Sequence, residues 1–131
     1  MLQPELLHEF QSVWCPHMTD AGLNRITDLL DQASPMLVHG SFTATLPRGC
    51  LASHIAWNHP KTTHLYQDAG VVWLTRVAKL NPATSRVVMA WDRHGVYDWL
   101  LRSLLLGACR LEWSRRRRYR RAARRKPVVP G

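Results

Sequence analysis

VYDWLLRSLLLGACRLEWSRRRRYRRAARRK, residues 96–126, is the stretch whose reading decides the fold. Its first half carries Tyr97, Leu100, Leu101, Leu104, Leu105 and Ala108 at three- and four-residue spacing, the stripe of an amphipathic helix turned toward a core. Its second half contains no stop signal before Pro127. Arginine and alanine are good helix formers, so the helix begun near Val96 can run on through Lys126. Arginines three and four residues apart repel one another, however, and would fray that end unless a polyanion lay against it.

Working upstream, Asn81-Pro82 reads as cap and first residue of a helix over residues 82–94, closed by Gly95 in the position that favours a positive φ. Leu65, Ala69, Val72, Trp73, Arg76 and Leu80 trace one stripe of a helix over about 63–80. Residues 50–58 read as a short buried helix stopped before Pro60. Leu23, Ile26, Leu30 and Ala33 mark a helix over 20–33 that Thr19 or Asp20 caps and Ser34-Pro35 ends. Leu6, Phe10, Val13 and Trp14 mark another over 4–14, ended at Cys15-Pro16. Between these, Phe42, Ala44 and Leu46 alternate with threonines beside Gly40, the pattern of an extended stretch. The expected fold is therefore all-α: a compact single domain of five or six helices with a short irregular or extended connector near residues 36–47.

Composition agrees with a folded chain of one core. The sequence has 131 residues, of which 46% are hydrophobic and 21% charged, and this is the ordinary globular range. Six tryptophans in that length point to an aromatic-rich core. The formal net charge of +9 is not spread along the chain. Residues 1–109 hold eight basic and eight acidic groups, whereas residues 110–126 hold ten basic groups against Glu112 alone. The division expected from this is a helical globular domain over 1–114 and a basic, arginine-rich C-terminal tail over 115–131.

Three cysteines, Cys15, Cys50 and Cys109, are too few and too odd a set for a disulfide framework in a domain of this size. Together with a first segment that bears Glu5 and Glu9 and lacks the layout of a secretory signal, they point to a reducing intracellular compartment: cytoplasm or nucleus, or a bacterial nucleoid. The most apolar stretch, 96–109, is broken by Asp98, Arg102 and Ser103 and is too short to cross a bilayer.

The strongest functional signal is the tail. Arg115, Arg116, Arg117, Arg118, Arg120, Arg121, Arg124, Arg125 and Lys126 form a cationic run with no acid in it. A guanidinium grips a phosphate through two hydrogen bonds and releases the counterions condensed on nucleic acid, and Tyr119 can stack on an exposed base. These ten residues are the expected nucleic-acid contacts, on RNA or DNA, with little sequence preference because phosphates carry no base information. Two other readings stand beside this one. The run can be an address, for nuclear import or an anionic membrane surface, on an adaptor whose helical body binds a protein partner, or it can be a solvated appendage with no specific partner.

Chemistry of other kinds has little to build on. Cys50 and His54 lie four residues apart, so a helix over 50–58 would set both on one face in the manner of zinc ligands, and Cys15-Pro16-His17 could offer another pair. No paired Cys-x-x-Cys accompanies them, and a cysteine on an apolar helix face is more often a small buried hydrophobe. Neither a nucleophile elbow, a glycine-rich phosphate loop nor a His-Glu-x-x-His motif is present. The cluster Asp92-Arg93-His94 and Tyr97-Asp98 reads as the turn between two helices, with cations at a helix C-terminus. The expectation is a non-enzymatic accessory protein with no cofactor and no metal.

Overall fold

The computed structural model describes residues 4–38 and 48–124, the side chain of Val96 excepted. The fold is all-α. Six α-helices are formed among the described residues: α1 (Pro4–Glu9), α2 (Asp20–Asp31), α3 (Leu51–Trp57), α4 (Ala69–Val72), α5 (Arg86–His94) and α6 (Trp99–Arg124).

The first helix widens into a π-helical turn, Phe10–Trp14, and tightens into a 3-10 turn, Cys15–His17, where Pro16 ends the run. Thr19 is the N-cap of α2. Its Oγ1 accepts from the Gly22 backbone N–H at 3.0 Å and donates to the Asn58 carbonyl, which ties α2 to the end of α3. At the other end, Ala33 takes φ 47° and the N–H groups of Ala33 and Ser34 return to the carbonyls of Leu30 and Leu29. This is the paired closure of a Schellman stop, and it ends α2 at Asp31 rather than at 33. Beyond it, Val38 donates to the Gly49 carbonyl and Gly49 to the Met36 carbonyl, each at 2.9 Å, in an isolated β-bridge. The bridge fastens the two ends of the expected 36–47 connector; residues 39–47, with Phe42 and Ala44, lie outside the described residues.

α3 sits at the centre, all seven of its residues buried, with α2 on one side and α4 on the other. A Cβ at Gly70 would stand 2.9 Å from the Ser53 backbone nitrogen, so glycine is what lets α4 cross α3 so closely. The helix expected over 63–80 starts only at Ala69. The preceding residues are held in turns because Thr62 and Thr63 spend their hydroxyls on the Ala56 and Trp57 carbonyls, at 2.7 and 2.8 Å, closing the end of α3. α4 then passes into a second π-helical turn, Trp73–Val77, and stops where Lys79 adopts φ 59°.

The helix expected over 82–94 begins at Arg86. Asn81 does cap, but it closes an isolated turn by accepting from Ala83 N at 2.9 Å. The N-cap of α5 is Ser85, whose Oγ accepts from Val88 N at 3.2 Å. The Glu9 carboxylate, arriving from α1, accepts from Ser85 Oγ at 2.6 Å and from the backbone N–H groups of Arg86 and Val87 at 2.9 and 3.3 Å. A negative side chain thus meets the exposed donors at a helix N-terminus, and this tertiary contact decides where α5 begins. Gly95 closes α5 with φ 63°, as its position implied.

Phe10, Trp14, Trp73 and Trp91 are fully buried in the core, with the Trp14 and Trp73 rings 5.5 Å apart and tilted by 56°. The indole N–H of Trp14 reaches Glu9 at 3.0 Å, and that of Trp91 reaches the Val38 carbonyl at 3.0 Å. The remaining tryptophans divide: Trp57 is buried, Trp113 packs at the edge of the core, and Trp99 is exposed.

α6 buries a different stripe from the one its leucines suggested. Leu101, Leu105, Ala108 and Cys109 face the core, while Tyr97 and Leu100 are exposed and Leu104 is half-buried. The helix is therefore rotated about its axis, and Asp98 fixes its start by accepting from Leu101 N at 3.0 Å. Among the described residues, no helix is long and apolar enough to cross a membrane.

Candidate nucleic-acid interface

The arginine run is not a separate appendage where it begins. α6 passes from the body into the run without a break, and the first arginines are bound back to the domain. The hub is Glu112, whose side chain is 5% exposed. It accepts from Arg115 through Nε and Nη2, at 3.1 and 2.8 Å, and from Arg116 Nε at 2.7 Å. These are three- and four-residue helix pairs, and the one acid in residues 110–126 serves both of them.

Arg116 goes further. Its Nη1 donates to Asp20 at 2.8 Å, and its Nη2 donates to the carbonyls of Cys15 and Met18, both at 2.8 Å. Those carbonyls belong to the turn between α1 and α2, at the end of a helical run; the Cys15 carbonyl also accepts from Met18 N–H at 3.2 Å. The side chain is only 15% exposed. Burial pulls its pKa down, but hydrogen bonds to Glu112 and Asp20 outweigh that and hold it above the usual arginine range. Arg120, one turn on, pairs with the other oxygen of Asp20. Hydrogen bonds from Arg120 and then Arg116 hold the Asp20 carboxyl below its ordinary value. Arg110, two residues before Glu112 and so on the opposite side of the helix, pairs with Asp31 at 3.1 Å.

The remaining arginines face outward. Arg117, Arg118, Arg121 and Arg124 are exposed, and among the described residues none of the four has a carboxylate partner. Arg117 touches the Ser114 hydroxyl at 3.5 Å. Helical spacing places Arg117, Arg121 and Arg124 on one face and Arg118 on the next. Tyr119 is 78% exposed. With Arg115, Arg116 and Arg120 it lines an open groove of about 390 Å³ along the side of the helix. Arg125 and Lys126 lie outside the described residues.

The ten residues expected from sequence therefore fall into two sets. Arg115, Arg116 and Arg120 have protein partners, and Arg117, Arg118, Arg121 and Arg124, with Tyr119, present themselves to solvent. The sequence carried one sign of this, Glu112 at three and four residues before Arg115 and Arg116. The Asp20 and carbonyl partners of Arg116 lie about a hundred residues upstream and left no local trace.

Cys50 and His54 are both buried but differently engaged. Cys50 is the N-cap of α3 rather than a residue within it, and its Sγ lies 3.3 Å from Ser53 Oγ. His54 Nε2 is 2.8 Å from the Met36 carbonyl, which makes that nitrogen the donor and leaves burial to pull the ring below its ordinary pKa. Cys15 lies instead near Cys109 and Glu112, where burial raises its thiol pKa, as it pushes that of Cys109 up to about 12. Burial favours the protonated thiol, which is the poorer nucleophile and metal ligand. Among the described residues, no group of three His, Cys, Asp or Glu side chains is placed to hold a metal ion.

Comparison with models of protein families, with curated proteins and with solved structures gives no match to this chain.

Proposed function

We propose that the chain is a small non-enzymatic nucleic-acid-binding accessory protein, in which the helical body holds α6 in place and the outer arginines of α6 grip phosphates. One observation carries this reading: Arg117, Arg118, Arg121 and Arg124 stand exposed on a helix whose Arg110, Arg115, Arg116 and Arg120 are taken by carboxylate partners. Four uncompensated charges within two turns repel one another, and a polyanion relieves that repulsion while the helix offers it preset guanidinium forks. Little sequence preference is expected from such contacts.

The test is the state of the purified protein. Material isolated at low salt carries nucleic acid, visible as absorbance in excess of that set by its six tryptophans and three tyrosines, and a high-salt wash removes it. Replacing the four outer arginines by glutamine abolishes the carry-over. Clean protein at low salt, with no affinity for added nucleic acid, contradicts the reading.

A second reading is supported by the other end of α6, where Tyr97, Trp99 and Leu100 are exposed together. In it the body is an adaptor that binds a protein partner, and the tail only directs it to the nucleus or to an anionic membrane surface. That reading takes precedence if the four glutamine substitutions change where the protein resides but not what it binds.

A further inference from the structure

We infer that the nucleic acid is duplex DNA and that the projecting end of α6 lies lengthwise in its major groove; the inference rests on the nucleic-acid reading above and narrows it to one class of ligand. From Arg117 to Arg124 every residue of α6 is exposed, with Arg120 tied back to the body through Asp20, so most of the circumference of this end is open to solvent. A helix with its side chains is about 10–12 Å across, and the B-form major groove is about 12 Å wide. At a rise of about 1.5 Å per residue, Arg117, Arg121 and Arg124 spread over roughly 10 Å along the axis. Arg118 points about 100° away from Arg117, since each residue turns by that angle.

That distribution fits a ligand with phosphates on two walls better than one with a single line of them. A lone strand laid along the helix meets the Arg117, Arg121 and Arg124 face first, with Arg118, about 60° beyond Arg121, at the edge of its reach. A groove brings its two backbones within reach of both faces. An open strand is usually held by several aromatic platforms, and the projecting end offers Tyr119 alone. The major groove of A-form RNA is deep and narrow and does not admit a helix. Ala122 and Ala123, the two smallest side chains of this end, keep the cylinder slim and favour the helix. Finally, the direction of the helix is set by the domain: Arg116 fastens it to Asp20 and to the Cys15 and Met18 carbonyls, and Arg120 adds a second tie to Asp20. A flexible polycation needs no such fixture.

The experiment separates helix geometry from charge. Ala122→Pro alters no charge and lies beyond Arg120, the last residue bound to the body, yet it removes one helical hydrogen bond and breaks the cylinder. The full-length protein and this variant are titrated by fluorescence anisotropy into a short labelled DNA duplex, one of its strands alone, and an RNA duplex of the same sequence. Wild type is expected to favour the DNA duplex by about tenfold over either alternative, and the variant to lose about tenfold on the DNA duplex with little change on the single strand. Ala122→Gly with Ala123→Gly, a milder loosening, is expected to fall between the two. An unchanged melting temperature shows that the body is intact in each. Equal affinity for all three probes, or a proline variant that binds the duplex as well as wild type, overturns the groove inference and leaves a generic polycation. Failure of wild type to bind any probe overturns the nucleic-acid reading itself.

Discussion

The guanidinium of Arg116 stands 2.8 Å from the Asp20 carboxylate, 96 residues earlier in the chain, and the pair closes the angle between α6 and the start of α2. Because the same guanidinium also serves Glu112 and two backbone carbonyls, Arg116 belongs to the fold, although it sits second in a run of four arginines. Arg116→Ala leaves the buried Glu112 with one partner fewer, takes from the Met18 carbonyl its guanidinium donor and leaves the Cys15 carbonyl with the Met18 N–H alone. A loss of about 2 kcal/mol or more is expected, against less than about 0.5 kcal/mol for Arg117→Ala. Denaturant unfolding of the two variants checks this, and equal losses would return Arg116 to the solvent-facing set. For the same reason a truncation removing residues 115–131 is expected to destabilise the body, and outer substitutions are the cleaner probe of function.

Glu9 at the start of α5 is a second long-range fixture. Glu9→Gln keeps one acceptor oxygen but loses the charge beside the helix N-terminus and one of the two carboxylate oxygens shared by Ser85, Arg86 and Val87. A cost of about 1–2 kcal/mol is expected, measured as a lowered melting temperature. Glu5→Gln, an exposed acid of the same helix, serves as the control and should change little.

Lys79 holds φ 59° at an exposed position where the chain leaves the second π-helical turn. An L-residue in this region pays about 1 kcal/mol that glycine avoids, so Lys79→Gly is expected to stabilise the protein by about 0.5–1 kcal/mol. A lower melting temperature would show that the lysine side chain contributes more than its backbone costs.

His54 makes stability depend on pH. Burial lowers its pKa below the ordinary 6.5, so the unfolded chain takes up a proton that the folded one resists. Stability is therefore full above about pH 6.5 and falls as the pH drops from there toward the folded value. His59, also lowered, chiefly by burial and then by Lys61 and His17, adds a smaller slope of the same sign. Melting temperatures measured from neutral to mildly acidic pH should decline in wild type and flatten in His54→Gln, which retains a donor for the Met36 carbonyl. An equal decline in both assigns the slope elsewhere.

Legibility of the fold followed locality. Thr19 as a cap and Gly95 as a stop were readable because cap and stop geometry involve only neighbouring residues. Asn81-Pro82 misled because the start of α5 is settled by Glu9, 76 residues before Ser85, and Leu65 misled because the hydroxyls of Thr62 and Thr63 hold its stretch in turns. The leucine-rich half of α6 shows apolar residues on nearly every side, so the pattern gave a helix but not its rotation; Asp98 and the packing against α2 supply that. At the candidate interface the charge was plain in the sequence. Its division was not, since a guanidinium bound to Cys15 and Met18 carbonyls looks, in one dimension, like any other in the run.

The salt dependence of duplex binding tests that division most directly. With Arg117, Arg118, Arg121, Arg124, Arg125 and Lys126 available to phosphates, the plot of log affinity against log salt concentration is expected to have a slope of about −5. Replacing Arg117, Arg118, Arg121 and Arg124 by glutamine should remove about 4 from the magnitude of that slope and leave the melting temperature unchanged. The same slope and the same affinity in wild type and in the four-residue variant would contradict the assignment of phosphate binding to the outer face of α6.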